Sequence, residues 1–147
     1  MYTFHARPDA VAYVEGGPEA PELSGEVSFY QRRGSVLVVA SIANLPRGGS
    51  GFFGFHIHEG DNCRGKNFAD TGSHYNPAKA LHPSHAGDLP PLMSCNGGAY
   101  LAVSTDRFRV EDIIDRTVVI HSGADDFHSQ PAGNAGDKIA CGVIRRQ

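Results

Sequence analysis

The chain has 147 residues, of which 40% are hydrophobic and 20% charged, and its formal net charge is -3. This balance is typical of a folded globular protein. The Lys and Arg residues form no run longer than an Arg pair, which argues against a nucleic-acid partner. No apolar segment approaches the ~20 residues that cross a bilayer, which argues against a membrane partner.

We predict one domain over residues 1–147. The first residues lack the apolar region of a secretory signal, which predicts a cytoplasmic protein, or a periplasmic or secreted one if a leader has been removed. The 18 glycines and 9 prolines predict many turns between short segments, and therefore an all-β fold. Alternating and β-branched segments predict strands at residues 9–15, 23–31, 36–45, 52–59, 99–104, 117–121 and 139–144.

The segments between these strands carry several local signals. Arg32, Arg33 and Gly34 predict a hairpin turn, and Asn96-Gly97 between two apolar runs predicts another. With the run before Asn96 the strand count is about eight, which favours an antiparallel sandwich or barrel. Residues 110–114 predict one helical turn. Residues 60–91 predict a long loop, which is unusual in a compact domain unless it is functional or anchored.

Residues 49–54 match the glycine pattern GxGxxG of dinucleotide-binding loops. That mechanism needs a helix directly after the glycines, whose N-terminus holds the pyrophosphate. The next residues, FHIHE, alternate with the period of a strand. We therefore predict that these glycines form a turn between strands.

Histidines occur in a pattern that suggests a metal site. His56 and His58 flank one residue of a predicted strand, so their side chains share a face about 7 Å apart, which suits two ligands of one metal. The alternative is a polar pair on a solvent-exposed face. His121 ends a later strand and joins them only if the fold brings it near. His5 and His128 have no partner pattern, and we predict that both lie on the surface.

The loop segment SHYNPAKALHPSHAGD, residues 73–88, concentrates further donors. His82, His85 and Asp88 are spaced by three in a stretch that lacks a hydrophobic face, so a metal ion would give it a reason to be ordered. Together with His74 they provide three imidazoles and one carboxylate, which match tetrahedral zinc. The alternative is a solvated polar loop.

The three cysteines, Cys63, Cys95 and Cys141, allow at most one disulfide and leave one thiol over. They are equally compatible with three unpaired buried thiols.

Five segments, in chain order, resemble the motifs of the copper/zinc superoxide dismutase family. They are GFHIHE (54–59), GSHYNP (72–77), HAGDL (85–89), RTVVIHSGADD (116–126) and GNAGDKIACGVI (133–144). The resemblance implies an eight-stranded antiparallel Greek-key barrel with a long metal-binding loop. It also implies a copper ion and a zinc ion close together, superoxide as the substrate, and either a monomer or a homodimer.

The resemblance also assigns individual residues. His74 would bind both ions, since two four-coordinate sites need eight donors and seven candidate side chains are present. Asp125 would orient ligand histidines of both metals. Cys63 and Cys141 would form the disulfide and Cys95 would stay free. The implied copper ligands are His56, His58, His74 and His121, and the implied zinc ligands are His74, His82, His85 and Asp88.

In this family, superoxide is converted to oxygen and hydrogen peroxide by alternate reduction and reoxidation of copper. The resemblance gives catalytic roles to His74, which releases copper and takes a proton, and to Lys138. Lys138 stands where the family has an arginine that guides and holds superoxide. Lysine keeps the charge but loses the planar fork of donors, so we expect weaker holding and lower activity. Residues 121–141 form a short stretch, which leaves little room for a charged loop that funnels the substrate.

Two other functions compete with dismutation. A relative with the same fold could bind zinc alone or buffer metals, with weak or no dismutase activity. Alternatively, His56, His58 and His121 could form a three-histidine zinc site that activates water. The second alternative leaves the donors of residues 73–88 unexplained.

Overall fold

The computed structural model describes residues 6–147, so the prediction for His5 lies outside the described residues. Most of the regular structure is β, and α1 (Val110–Ile113) and a 3-10 helix (Lys66–Thr71) are its helical segments within residues 6–147. The strands are β1 (Ala10–Gly16), β2 (Ser24–Arg32), β3 (Ser35–Ala43), β4 (Phe52–Phe53), β5 (Phe55–His58), β6 (Leu92–Met93), β7 (Ala99–Thr105), β8 (Thr117–His121) and β9 (Lys138–Arg146).

Seven of these strands form one antiparallel sheet in the order β5-β8-β9-β1-β2-β3-β7. The sheet curls into a half-barrel because alternate residues of each strand are apolar and turn towards a common core. In β3, for example, Val36, Val38, Ala40 and Ile42 are buried, while the residues between them are more accessible. The all-β antiparallel fold predicted from the sequence is confirmed.

One predicted strand, residues 52–59, is wrong as a single element. It divides at Gly54: β4 pairs with β6 in a separate two-stranded ladder, and β5 pairs with β8. At the division, the Gly54 amide donates to the Gly123 carbonyl, and the Gly54 carbonyl accepts from the His121 amide. A Cβ at this position would lie 2.7 Å from the Ala135 Cβ, so the close approach requires glycine.

The predicted turns are where the sequence placed them. Asn96 and Gly97 have φ values of 51° and 84°, the two positive values that a type I′ hairpin turn requires. The GxGxxG segment is followed by strand and not by a helix, as predicted, so it has no helix N-terminus for a phosphate.

The long loop after β5 is anchored along the free edge of that strand. The Ile57 amide donates to the Gly87 carbonyl, and the Tyr75 amide donates to the Ile57 carbonyl, both at 2.8 Å. A Cβ on Gly87 would overlap the Ile57 carbonyl oxygen, so the loop can lie this close only with glycine. The loop therefore extends the sheet at the edge that carries His56 and His58.

A disulfide joins Cys63 in this loop to Cys141 in β9, across 78 positions of sequence, and Cys95 is a free, exposed thiol. The pairing implied by the resemblance is confirmed. Among residues 6–147, none of the helices has the length and apolar character of a membrane-crossing helix.

We expect Cys63→Ser and Cys141→Ser each to lower the free energy of unfolding by about 2–5 kcal/mol, because the bond restricts a long segment of the unfolded chain. Denaturant titration of the oxidised, metal-free protein measures this. Cys95→Ser is the matched control and should leave the free energy unchanged. Equal values for all three variants would contradict a stabilising role of the bond.

Candidate metal centre

Two neighbouring strands place three histidines on one face of the sheet. In β5, Phe55 and Ile57 enter the core, so His56 and His58 alternate onto the opposite face. That face is covered by the long loop, and His56 is 0% exposed. His121 ends β8, where its amide donates to the Gly54 carbonyl just before β5. The fold thus brings His121 beside the HxH pair, which sequence alone could not establish.

These three residues and His74 form a buried group whose donor atoms all lie within 4.8 Å of one another. His58 Nδ1 donates to the Gly72 carbonyl at 2.8 Å, and His121 Nδ1 donates to the Gly136 carbonyl at 3.2 Å. These bonds leave Nε2 of both rings unprotonated. The two Nε2 atoms face each other at 3.2 Å, where their lone pairs repel unless a cation binds both.

The donors of the long loop meet on the other side of His74. His74 Nδ1 lies 2.8 Å from Asp88 Oδ1 and 3.2 Å from His85 Nδ1. His82 Nδ1 and His85 Nδ1 lie 3.0 Å and 3.2 Å from Asp88 Oδ2. The four side chains are buried, so the alternative of a solvated polar loop is wrong.

A donor atom of His56 also lies within 4.8 Å of donor atoms of His74, His82 and Asp88, which makes His56 a candidate for this second group. Its Nε2 donates to Asp125 Oδ2 at 2.7 Å, as His82 Nε2 does to Oδ1, so this bond does not distinguish the two rings. His85 is the better fourth member, because its Nδ1 lies 3.2 Å from both His74 Nδ1 and Asp88 Oδ2.

Asp125 connects the two groups. Its carboxylate accepts from His56 Nε2 at 2.7 Å and from His82 Nε2 at 2.8 Å. The Phe127 amide donates to the same carboxylate at 2.8 Å. Both rings are thereby fixed in the tautomer that leaves Nδ1 as an acceptor directed into the cluster.

Three imidazole nitrogens have no hydrogen-bond partner although they are buried: His56 Nδ1, His74 Nε2 and His82 Nδ1. His82 Nδ1 is close to Asp88 but lacks hydrogen-bond geometry towards it. A buried acceptor without a partner is unfavourable, and metal ions bound at the two donor groups would satisfy all three atoms. Histidine-rich and His₃Asp donor sets are those that copper(II) and zinc prefer. The residues present therefore fit both ions.

Burial favours the neutral form of His56, His58, His85 and His121, and the neutral imidazole is the form that binds metals. Burial lowers the pKa of His121 to about 3, and repulsion from His56 adds to the effect. Burial and the neighbouring His74 hold the pKa of His58 well below its usual value. Burial alone would raise the pKa of Asp125, but the hydrogen bonds from His56 and His82 outweigh it, so the pKa is lowered and the carboxylate stays ionised.

A cavity of about 460 Å³ opens in front of this face and is lined by His58, His74, His121 and Lys138. The Lys138 ammonium donates to Thr71 Oγ1 at 2.8 Å and to the Gly72 carbonyl at 3.0 Å. It is the only Lys or Arg among the described residues that line this cavity.

His128, which we predicted on the surface, has a 79% exposed side chain.

Gly133 is a site residue that the sequence did not reveal. It has a φ of 70°, and a Cβ there would overlap Asp125 Oδ1 and lie 2.6 Å from His82 Nε2. Its amide and carbonyl bond to Ser129 and Asp126, which close the turn around the carboxylate. Only this packing identifies the residue, since one glycine among 18 carries no signal.

The described residues thus define an antiparallel β protein whose buried side chains can hold two metal ions. A sequence model of the copper/zinc superoxide dismutase family matches residues 23–144. Proteins named copper/zinc superoxide dismutase from Legionella pneumophila and Schizosaccharomyces pombe are 34% and 38% identical to the chain. These alignments cover 88% and 92% of this chain, and 82% and 96% of the relatives.

A relative with the same name from Aquifex aeolicus is 29% identical, over 99% of this chain and 94% of its own length. The chain belongs to the copper/zinc superoxide dismutase family. Membership in this family implies copper and zinc as the bound ions.

We expect Gly133→Ala to destabilise the protein and to weaken the binding of both metals, because the new methyl group would displace Asp125. Gly49→Ala is the matched control: its φ is 67°, and no atom lies within 4 Å of a Cβ there. Both substitutions place alanine in the left-handed region, at a cost of about 1–2 kcal/mol. Gly133→Ala should cost roughly 1–3 kcal/mol more, since it disturbs buried hydrogen bonds to a charged group.

Denaturant titration of the metal-free variants, followed by metal analysis after dialysis, measures both effects. Equal stability and equal metal content of the two variants would contradict a role for Gly133 in holding the carboxylate.

Proposed function

We propose that this protein dismutates superoxide, converting two superoxide anions and two protons to oxygen and hydrogen peroxide. The observation that carries the proposal is the position of His74 between two donor groups. Its Nδ1 faces Asp88 and His85, and its buried Nε2 has no hydrogen-bond partner. We assign copper to His56, His58, His74 and His121, and zinc to His74, His82, His85 and Asp88.

Bound copper would supply a one-electron couple that takes an electron from one superoxide and gives one to the next. The role of His74 is to hold a proton at Nε2 whenever that nitrogen is not a ligand. The ring is buried, and backbone bonds of Ser73 and Tyr75, the residues on either side of His74, hold it in place. His74 also lines the cavity in front of Lys138. A proton held there is in place for the reduced oxygen species.

Asp125 and zinc would share the task of keeping the other rings in position. The carboxylate holds His56 and His82 with Nδ1 directed inwards. Zinc has no redox chemistry, so at its site it would stabilise the loop that carries His74 and tune the basicity of the ring.

Lys138 would attract and hold the superoxide anion. An ammonium group has three donors, and Thr71 and Gly72 already accept two of them, so one is left for an anion in the cavity. An arginine at this position would offer two parallel donors and a delocalised charge. Lys138 would therefore attract superoxide by its charge but hold the anion more weakly than an arginine would.

The non-catalytic alternative, a zinc-only or metal-buffering protein, is not favoured. It would leave the four-histidine group without a use, although each of its rings is buried and oriented. The water-activating zinc site would require only three histidines and would leave His74 and residues 82–88 without a function.

The Cys63–Cys141 disulfide indicates the cellular compartment in which the protein works. Such bonds persist in oxidising surroundings and are rare in the cytosol, so we propose a periplasmic or extracellular location over a cytoplasmic one. Every proposed ligand comes from one chain, so a homodimer is compatible with activity but adds no donor to either metal.

Metal loading of the purified, oxidised protein tests the proposal. We expect one copper and one zinc per chain and a rapid decay of superoxide that requires copper. His74→Ala should lose most of this activity, and His128→Ala, which changes an exposed histidine, should keep it. Zinc uptake without copper uptake, or copper uptake without superoxide decay, would contradict dismutation and support the non-catalytic alternative.

We expect Lys138→Arg to raise kcat/KM for superoxide, because the guanidinium can hold the anion with two donors. The gain should shrink with added salt, which screens the attraction. Measurement of superoxide decay at several ionic strengths tests this, with Lys79→Arg, at an exposed loop position, as the control. An unchanged or lower rate for Lys138→Arg would show that the anion is handled elsewhere.

A further inference from the structure

A second cavity, of about 770 Å³, lies behind the metal-binding loop and shares no lining residue with the cavity in front of Lys138. Its wall includes Asp88 and Asp125, so it reaches the reverse side of the proposed zinc site. Arg107, Pro83 and Phe127 line the same cavity.

Arg107 lies where it can hold that loop. Its Nη1 donates to the Pro83 carbonyl at 2.8 Å, to the His85 carbonyl at 3.2 Å and to the Asp88 carbonyl at 3.5 Å. Two of these carbonyls belong to proposed zinc ligands, and the third belongs to the residue that follows the ligand His82. One guanidinium nitrogen thus contacts the backbone of the whole segment 83–88.

The segment that carries Arg107 is itself fixed. The Arg107 amide donates to Thr105 Oγ1 at the end of β7, at 3.2 Å. The next residue, Phe108, is buried in the core with its ring 6.4 Å from that of Phe29. A charged group on an anchored backbone can serve as a rigid contact for a loop that has no hydrophobic face of its own.

The charge of Arg107 is directed to these carbonyls and not to a carboxylate. Among residues 6–147 it makes no ion pair, although Asp106 is its neighbour in sequence. Hydrogen bonds from a charged donor are stronger than those between neutral groups, and the contacts to the His85 and Asp88 carbonyls are partly buried.

We propose that Arg107 is a positioning residue for zinc, which fixes the outer side of the turn at residues 85–88. The inner side is fixed by β5, through the bond from the Ile57 amide to the Gly87 carbonyl. His85 and Asp88 are held between these two contacts at the separation that a shared ion requires. Release of zinc is then easier when the contacts to Arg107 are lost.

This inference rests on the proposed zinc ligands, and zinc release from the copper-free, zinc-loaded protein tests it. Mixing with excess chelating dye at neutral pH gives the rate of release. We expect Arg107→Ala to release zinc at least tenfold faster than the unsubstituted protein and Arg107→Lys, which keeps the charge but loses the fork, to be intermediate. Arg109→Ala is the matched control, because that exposed side chain pairs with Glu111 at 3.1 Å, and it should not change the rate.

Cobalt(II) in place of zinc provides a second readout, since its visible bands report the geometry of its ligands. We expect the bands to shift in Arg107→Ala and to be unchanged in Arg109→Ala. Zinc release and cobalt bands that are equal in these two variants would overturn the inference, even if both variants lose stability. If Arg107→Ala does not fold, the zinc release and cobalt bands of Arg107→Lys are compared with those of Arg109→Ala, and equal values overturn the inference. An unsubstituted protein that takes up no zinc would instead overturn the proposed function.

Discussion

In four of the six buried imidazoles of the cluster, an oxygen acceptor fixes one nitrogen so that the other can bind a metal. Carbonyls of Gly72 and Gly136 accept from His58 and His121, and Asp125 accepts from two further rings. Because each acceptor fixes a tautomer, the unprotonated nitrogens converge on common points. Burial lowers the pKa of four of the rings, those of His56, His58, His85 and His121, so these rings favour cations that accept nitrogen lone pairs. His74 differs from the four rings with an oxygen acceptor, since in the described structure neither a backbone carbonyl nor Asp125 accepts from it, and its Nδ1 faces Asp88 and His85.

This arrangement depends on a loop that cannot fold by hydrophobic burial alone. Hydrogen bonds to β5 hold its inner side, the Cys63–Cys141 disulfide ties its first part to β9, and Arg107 contacts its outer side. These contacts hold the loop donors beside the sheet. Metal binding then satisfies buried nitrogens that otherwise lack partners, so folding and metal binding support each other.

Much of the fold followed from the sequence because its strands alternate in polarity or are strongly β-branched. Residues 117–121 form a strand with the predicted bounds, whereas residues 52–59 do not, because a contact at Gly54 with a distant segment divides them. Spacing pointed to His56 and His58 and to the donors of residues 82–88, whereas His121 and the shared role of His74 came from the family resemblance. The nitrogen that each ring presents, and the roles of Gly133 and Arg107, were not, since they arise from contacts between segments far apart in sequence.

The central claim is that one imidazole, that of His74, binds two different metal ions. A crystal structure of the oxidised protein loaded with copper and zinc, with the metals identified by anomalous scattering, tests it most directly. We expect copper at His74 Nε2 and zinc at His74 Nδ1, each at about 2.0–2.1 Å. A His74 ring in contact with only one ion or with neither, while His56 and His58 point away from it, would contradict the claim.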